Sequence, residues 1–304
     1  MTENVNIFTR RKKLTINNNS GGALTDYQVR VTVTYASAMQ AAFGDIRFAD
    51  ASGAMFSYWI ESKTDSSTAV VWIKVNLPNS GAGAAGDNTV YMYYGNPAVA
   101  SLSDGANTFI DFSDFTDFTN WTQQAGTWTI TGGVLTAPAS GAVHLRRDIT
   151  ISSSSYKIET KIKGSGLYYT GMLFVEADNP AVLTAAINVF FDELNHNVEG
   201  SPDWNWFTQS PTFVTTDNVY YILGVAVNPG NNKAYAYTTD RASFIQTNAF
   251  GDGSGIGNYW GFYRDTYSNQ FSVDWVFVRQ YVATEPTVTT GQEEYPRVGR
   301  MLIF

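Results

Sequence analysis

Strict alternation of apolar and polar residues is the feature that most constrains this fold. From Val29 to Tyr35 every second side chain is apolar, and Ala69 to Leu77 repeats the pattern. Successive side chains of an extended strand point to opposite faces, so each run places its apolar residues on one side of a sheet. Phe271 to Tyr281 is almost continuously apolar, which predicts a strand buried on both faces. Only Ala36 to Phe43 looks helical, as a single short helix or a loop.

Turn signals separate these runs and set the fold class. Gly, Asn, Asp and Ser cluster at 17–22 and again at 251–257, as they do in turns between strands. Many short strands at such spacing are typical of β-sandwiches. The sequence therefore predicts an all-β protein of two jelly-roll-like β-sandwich domains in series, residues 1–104 and 105–284, followed by an extended tail over residues 285–304.

Composition excludes several classes of protein. The chain of 304 residues carries a formal net charge of −8 with a pI near 4.7, whereas a nucleic-acid-binding protein needs a basic surface to engage phosphates. Zero cysteines rule out a disulfide framework, a thiol nucleophile and a cysteine zinc site. No apolar run reaches the roughly 18 residues of a membrane span. We therefore expect no nucleic-acid partner and no membrane span.

Six blocks of sequence in the first half carry a family resemblance. In these blocks the chain resembles a domain family of unassigned function found in archaeal, bacterial and viral surface proteins. The resemblance implies a β-sandwich module joined to other extracellular modules, and it implies no known catalysis. The blocks are Arg10–Ile16, Leu24–Val29, Asp45–Phe48, Tyr58–Glu61, Val71–Val75 and Tyr93–Pro97.

Aromatic and apolar blocks of the second half carry another resemblance. Phe109–Phe115, Trp121, Trp128–Leu135 and Val273–Arg279 make residues 109–283 similar to a concanavalin-A-like jelly roll of the laminin-G or glucanase type. Members of that superfold include lectins, glycan-binding modules and glycoside hydrolases. The fold alone therefore does not decide the function.

Three carboxylates of the second half are candidate calcium ligands, namely Asp111, Asp114 and Asp274. Calcium takes hard oxygen ligands, and in similar sandwiches a calcium ion often joins the first and last strands. Asp111 or Asp114 would then meet Asp274. The alternative is that these carboxylates accept hydrogen bonds from backbone N–H groups at turns and strand edges. The chain requires no cofactor by its sequence, and calcium is the candidate.

Aromatic residues in polar surroundings predict a glycan platform. Trp204 and Trp206 would share a face if extended, and Asp203 and Asn205 alternate with them. Flat sugar faces stack on exposed aromatic rings, while amides and carboxylates bind hydroxyls. The alternative is that both indoles close one end of the core or lie at a subunit contact. A second candidate group follows later in the chain: Tyr259, Trp260, Tyr263 and Tyr267.

Signatures of catalysis are not found in the sequence. Glycoside hydrolysis needs two carboxylates that flank the scissile bond, and Asp192 and Glu193 are adjacent, so on a strand they would face opposite ways. Glu159 lies between two lysines, which predicts an exposed ion-pair face. No nucleophile elbow accompanies His144 or His196, and both are interpreted as surface histidines. We expect no catalytic residue.

The apolar C-terminus is a candidate assembly element. Met301, Leu302, Ile303 and Phe304 follow a segment rich in proline and glycine. A free apolar end is an aggregation hazard, whereas it could add a strand to a neighbouring subunit or fill a groove in it. Packing back on its own domain is the alternative.

These patterns together predict a non-enzymatic structural or adhesive surface protein. It would belong to a virion or another extracellular assembly, as a homo-oligomer or beside other subunits, and would contact host glycans. The opening Met-Thr-Glu-Asn is not followed by the apolar core of a signal peptide, which favours a particle component. The alternatives are a soluble carbohydrate-binding module and, third, a glycoside hydrolase of the concanavalin-A-like superfold.

Overall fold

Strands form almost all of the regular structure, as the alternation predicts. The chain folds as two units, Met1–Phe109 with Val282–Phe304, and Ile110–Tyr281. The segment at 36–43 forms turns rather than a helix, and in the described part no helix has the length and apolar character to cross a bilayer. The computed structural model describes residues 4–78, 89–149, 151, 153–165, 169–176, 186–192, 195–202, 208–252, 259–264 and 269–296.

Two antiparallel sheets make up the first unit. One has the order β23-β1-β7-β3-β4 and the other β2-β6-β5. Alternate residues of β2 face the core between them, and Val29, Val31 and Val33 are each at most 2% exposed. The elements are a 3-10 turn (Val5–Ile7), β1 (Arg10–Asn17), β2 (Leu24–Thr34), β3 (Arg47–Ala49), β4 (Met55–Phe56), β5 (Tyr58–Thr64), β6 (Thr68–Leu77), β7 (Thr89–Tyr94), α1 (Gly105–Thr108) and β23 (Thr287–Glu294).

Buried polar contacts join separate sequence blocks of the first unit. The carboxylate of Asp45, which is fully buried, accepts hydrogen bonds from the backbone N–H groups of Gly95 at 2.8 Å and Asn96 at 3.1 Å. Arg47 donates to the hydroxyl of Tyr58 at 3.3 Å. Buried polar groups must be paired to be tolerated, so these residues hold the loops that connect the strands.

The segment after residue 285 differs from the extended tail that the sequence predicts. Its strand β23 pairs with β1, so that Val288 lies opposite Ile16. Ion pairs hold the far end of this pairing, with Arg10 to Glu293 at 3.1 Å. The second unit is therefore an insertion in the chain of the first unit. This insertion begins after Phe109 and not at residue 105.

The second unit is a sandwich of an eight-stranded and a seven-stranded sheet. The first has the order β10-β11-β22-β13-β18-β19-β20 with β8 beside β22, and the second β17-β16-β15-β14-β21-β12-β9. The strands are β8 (Asp111–Ser113), β9 (Trp121–Ala125), β10 (Thr129–Thr131), β11 (Val134–Thr136), β12 (Val143–Arg147), β13 (Tyr156–Ser165), β14 (Tyr169–Glu176), β15 (Ala186–Asp192), β16 (Asn197–Pro202), β17 (Thr208–Gln209), β18 (Tyr221–Val227), β19 (Lys233–Thr238), β20 (Phe244–Gln246), β21 (Tyr259–Arg264) and β22 (Gln270–Gln280).

Side chains from both sheets form the core of this sandwich. Ile158 of β13 and Ile187 of β15 belong to one apolar cluster and are fully buried. Strand β22 is buried on both faces, as predicted, because Val276 and Phe277 point to opposite sides and neither is exposed. The all-β prediction of two jelly-roll-like sandwiches is confirmed.

Glu159 corrects the prediction of an exposed ion-pair face on β13. It is fully buried and contacts Arg241 at 2.6 Å, Arg279 at 2.9 Å and the hydroxyl of Tyr235 at 3.2 Å. Burial alone would raise the pKa of Glu159, but the charges of Arg241 and Arg279 lower it below its ordinary value. The alternation gave the correct face of the strand and the wrong burial.

Candidate functional site

The face of the seven-stranded sheet that points away from the core carries the candidate site. Leu145, Ile187 and Phe262 point into the core and are fully buried, so their strand neighbours point outward. We call this outward surface the polar face. Its described members are His144 and Arg146 on β12, Tyr259, Gly261 and Tyr263 on β21, Asn188, Phe190 and Asp192 on β15, Asn197, Glu199 and Ser201 on β16, and Gln209 on β17.

Burial distinguishes the polar face from an ordinary solvated sheet surface. His144 and Asn197 are 6% exposed, Asp192 3%, and Asn188 is fully buried. Polar side chains seldom become this inaccessible on the outward side of a sheet. The polar face is therefore shielded from solvent, and hydrogen bonds made to its groups are stronger there than in water.

Aromatic rings occupy the β12–β21 side of the polar face. Tyr259 and Tyr263 are partly exposed and lie on either side of Gly261, which has no side chain. The guanidinium of Arg146 lies 4.9 Å from the centre of the Tyr259 ring. His144 meets Tyr263 edge to face, with ring centroids 6.4 Å apart. This side therefore carries two partly exposed rings at alternate positions of β21, with the buried Gly261 between them.

Amides and carboxyl groups occupy the β15–β17 side. Register places Asn188 opposite Ser201, and Asp192 opposite Asn197. The amide of Gln209 donates to the carboxyl group of Glu199 at 2.7 Å. Such groups supply both donors and acceptors, which is what recognition of hydroxyl-rich ligands requires.

Two shifted pKa values set the charge of the polar face. Burial raises the pKa of Glu199 to about 7; the hydrogen bond from Gln209 opposes this rise, and the neighbouring Asp192 adds to it. Burial, together with the charge of Arg146, lowers the pKa of His144 to about 4. At neutral pH His144 is therefore uncharged, and the prediction of a surface histidine is wrong for His144, whereas His196 is exposed.

The structure places only part of the two predicted glycan platforms on the polar face. Asp203, Trp204, Asn205 and Trp206 lie outside the described residues, as does Tyr267. Tyr259 and Tyr263 lie on the polar face. The prediction of Trp260 as a glycan-binding residue is wrong, because its side chain points into the core and is only 1% exposed. An indole so enclosed has no face left for a sugar.

The three candidate calcium ligands do not come together. Strand β8 does lie beside β22, with Asp111 opposite Val278, but Asp111 forms a buried ion pair with Arg147 at 2.7 Å. Asp274 lies four residues before Val278 on β22 and contacts Lys161 at 2.5 Å. Asp114 is exposed. Among the described residues no group of three or more His, Cys, Asp or Glu could hold a metal ion. Asp111 and Asp274 are thus each paired with a basic side chain of the protein itself.

The candidate assembly residues Met301, Leu302, Ile303 and Phe304 lie outside the described residues.

Sequence reasoning also missed the pairing of Asp192 with Glu199. The signal was incomplete, because the run at 187–191 is apolar whereas residues 197–202 carry only Val198 as an apolar strand residue, so the second strand of the hairpin was not visible. Such a hairpin brings Asp192 to the strand that carries Glu199.

Comparison with protein families matches residues 42–131 to a domain of unknown function, DUF2341. The match covers less than half of the chain, and it confirms the likeness to a family of unassigned function over that range. None of the curated proteins compared with the chain matches it in sequence. The blocks Asp45–Phe48, Tyr58–Glu61, Val71–Val75 and Tyr93–Pro97 lie inside the matched range, and Arg10–Ile16 and Leu24–Val29 lie outside it.

Solved structures similar to the chain include sugar-binding proteins. The carbohydrate-binding module CBM66 from Bacillus subtilis is 16% identical, with a TM-score of 0.37, over 57% of this chain and 96% of the module. The VIP36 exoplasmic/lumenal domain bound to Ca²⁺ and Man2 is 11% identical, with a TM-score of 0.43, over 55% and 83%. The CBM2 module of the evolved Dit of Lactobacillus casei BL23 phage J-1 is 11% identical, with a TM-score of 0.38, over 58% and 96%. At these TM-scores the function has to be argued from the residues of the polar face.

Proposed function

We propose that the second unit binds glycans on the polar face and that the protein is a non-enzymatic adhesive surface protein. The observation that carries this proposal is the row Tyr259, Gly261 and Tyr263, which shares one surface with amide and carboxyl groups. Aromatic rings offer apolar faces to the C–H groups of a sugar. Amides and carboxyl groups exchange hydrogen bonds with its hydroxyls.

Removal of both tyrosine rings tests this assignment. The full chain and the variant Tyr259→Ala/Tyr263→Ala are titrated by calorimetry with neutral polysaccharides, namely a glucan, a mannan, a galactan and a fructan. We expect the wild type to bind at least one of them. The variant should bind it about tenfold more weakly or worse, since about 1.4 kcal/mol of binding free energy corresponds to tenfold.

A matched control removes an aromatic ring elsewhere in the same unit. Phe244 on β20 belongs to the other sheet and is 50% exposed, so Phe244→Ala should bind like the wild type. Equal affinity of the double variant and the wild type would contradict the proposed site. Melting temperatures of all three proteins report whether each one folds.

The geometry of the acidic pair supports a non-enzymatic role. Both oxygens of Asp192 accept hydrogen bonds from Asn195, at 3.0 and 2.7 Å, and Glu199 accepts one from Gln209 at 2.7 Å, so the protein itself engages both carboxyl groups that hydrolysis of a glycosidic bond would need. We therefore propose that the bound glycan is released unchanged. The appearance of new reducing ends during incubation with any of these polysaccharides would overturn this part of the proposal.

We also propose that the protein acts as a subunit of an assembly, in a virion or on another extracellular surface. The supporting feature is the edge strand β23, of which six of eight residues are exposed. Exposed edges with free N–H and C=O groups are templates for pairing with another chain. Native mass spectrometry should give a multiple of 33.5 kDa, and a mass of one chain would refute homo-oligomerisation.

A further inference from the structure

Two carboxyl groups lie side by side in the polar face on the neighbouring strands β15 and β16. Register places Phe190 opposite Glu199 and Asn197 opposite Asp192, so Asp192 and Glu199 are diagonal neighbours on one face. The residues are 3% and 4% exposed, so two negative charges this close together would be poorly solvated and would repel each other. The arrangement therefore favours one proton shared by the pair.

Donors around the pair locate that proton on Glu199. Asn195 donates to both oxygens of Asp192, from its backbone N–H to Oδ1 at 3.0 Å and from Nδ2 to Oδ2 at 2.7 Å. Both oxygens of Asp192 are therefore occupied as acceptors. Glu199 accepts from Gln209 on Oε1 at 2.7 Å, which leaves Oε2 to carry the proton toward Asp192. The raised pKa of Glu199, about 7, agrees with this assignment.

Within the part of the chain that the structure describes, the surroundings of the pair offer little compensation for a second negative charge. Arg146, on the far side of the polar face, is already paired with Asp148 at 2.7 Å. His144 is uncharged at neutral pH. Among the described residues, the groups that flank the pair are Gln209 on β17, and Asn195 and the exposed His196 in the turn.

We propose that the polar face binds uncharged glycans while Asp192 and Glu199 share one proton, and that it releases them when this proton is lost. This inference rests on the proposed glycan-binding function. An anionic sugar would meet the charge that Asp192 keeps, whereas a neutral sugar meets dipoles. Asp192 and Glu199 act here as positioning residues.

Loss of the proton has a defined structural consequence. The O–H bond of Glu199 breaks, the proton passes to solvent, and two carboxylates then face each other and repel. Asn195 and Gln209, which are bonded to the pair, move with it. The competent fraction falls tenfold per pH unit above the pKa of Glu199, so affinity should weaken by up to about tenfold per unit above pH 7.

Calorimetry with the full chain at pH 6 and pH 8.5 tests the inference. The probes are the same glucan, mannan, galactan and fructan, with polygalacturonate as the charged counterpart. The wild type should bind a neutral probe more than tenfold more tightly at pH 6, and polygalacturonate more weakly than neutral probes at both values. In Glu199→Gln the amide keeps the shape and donates to Asp192 at every pH, so its affinity should be equal at both values.

Glu293→Gln is the matched control, because this acid lies in the first unit, and its pH dependence should equal that of the wild type. Wild-type affinity that is the same at both pH values, or a Glu199→Gln variant as pH-dependent as the wild type, would overturn the shared proton. Tighter binding of polygalacturonate than of the neutral probes would overturn the claim that the ligand is neutral. Failure of every neutral probe at both values would overturn the inference together with the proposed function, an outcome distinct from pH-independent binding.

Discussion

Replacement of Asp111 by asparagine tests whether this residue serves the fold and not a metal ion. Its carboxylate accepts from Arg147 Nη2 at 2.7 Å and Nε at 2.9 Å, and the two side chains are 3% and 5% exposed. Loss of one partner of a buried pair leaves an uncompensated charge and costs about 3–5 kcal/mol. Arg147 keeps the carbonyl of Thr119 at 2.8 Å, so we expect the lower end of that range.

Urea denaturation followed by tryptophan fluorescence measures this loss in free energy of unfolding. Trp121 is one of the eight tryptophans that contribute to this signal, and the guanidinium of Arg147 lies 5.0 Å from the centre of its ring. Asp274→Asn is the control, because Asp274 pairs with Lys161 at a similar distance but the side chains are 35% and 26% exposed. An exposed pair contributes at most about 1 kcal/mol.

Two results would refute the reasoning. The first is a cost for Asp111→Asn no larger than that of Asp274→Asn. The second is a rise in wild-type melting temperature on addition of calcium that Asp111→Asn abolishes, because a ligand that binds the folded state stabilises it. Joint replacement, Asp111→Leu with Arg147→Met, should recover most of the loss, since apolar residues can replace a buried ion pair at little cost.

Two further predictions concern His144 and Gly200. Burial lowers the pKa of His144 from 6.5 to about 4, so its contribution to stability is complete above pH 6.5 and is lost as the pH falls through 4. The melting temperature of His144→Asn should therefore decrease less between pH 7 and pH 4 than that of the wild type. Equal decreases in the two proteins would contradict this. A Cβ at Gly200 would lie 2.3 Å from Phe250 Cε1, whereas one at Gly22 meets nothing within 4 Å. Gly200→Ala should thus lower the unfolding free energy by about 1–3 kcal/mol, and Gly22→Ala by much less; equal effects in urea denaturation would count against the packing described.

The strands could be predicted because their signal is local. Side-chain direction alternates with every residue, so the runs at Val29–Tyr35 and Ala69–Leu77 reveal their buried face without knowledge of the partner strand. Glu159 could not be placed in this way. Its partners Arg241 and Arg279 lie far away in the sequence, and only the folded sheet brings them over the outward face of β13.

The candidate site was predicted in part for the same physical reason. Because side chains alternate in direction along β21, Trp260 points away from Tyr259 and Tyr263, and this was visible in the sequence. Which of the two sets faces the core depends on the opposite sheet. The Asp192–Glu199 pair depends on a hairpin register. A shift of one residue in that register would put Glu199 on the core side, so the pair follows from tertiary structure and not from spacing alone.

The return of the chain to the first unit was also beyond local patterns. Strand β23 carries few apolar residues and is largely exposed, so its sequence resembles a linker. Its partner β1 lies at the other end of the chain. Pairing between the two ends of a sequence leaves no periodic signal in either segment.

Hydrogen–deuterium exchange of the full chain, with and without the neutral polysaccharide that binds most tightly, tests the central claim most directly. Glycan bound on the polar face should slow exchange in β12, β15, β16 and β21. Protection confined to the eight-stranded sheet or to the first unit, with none in these strands, would contradict the assignment of the polar face as the binding site.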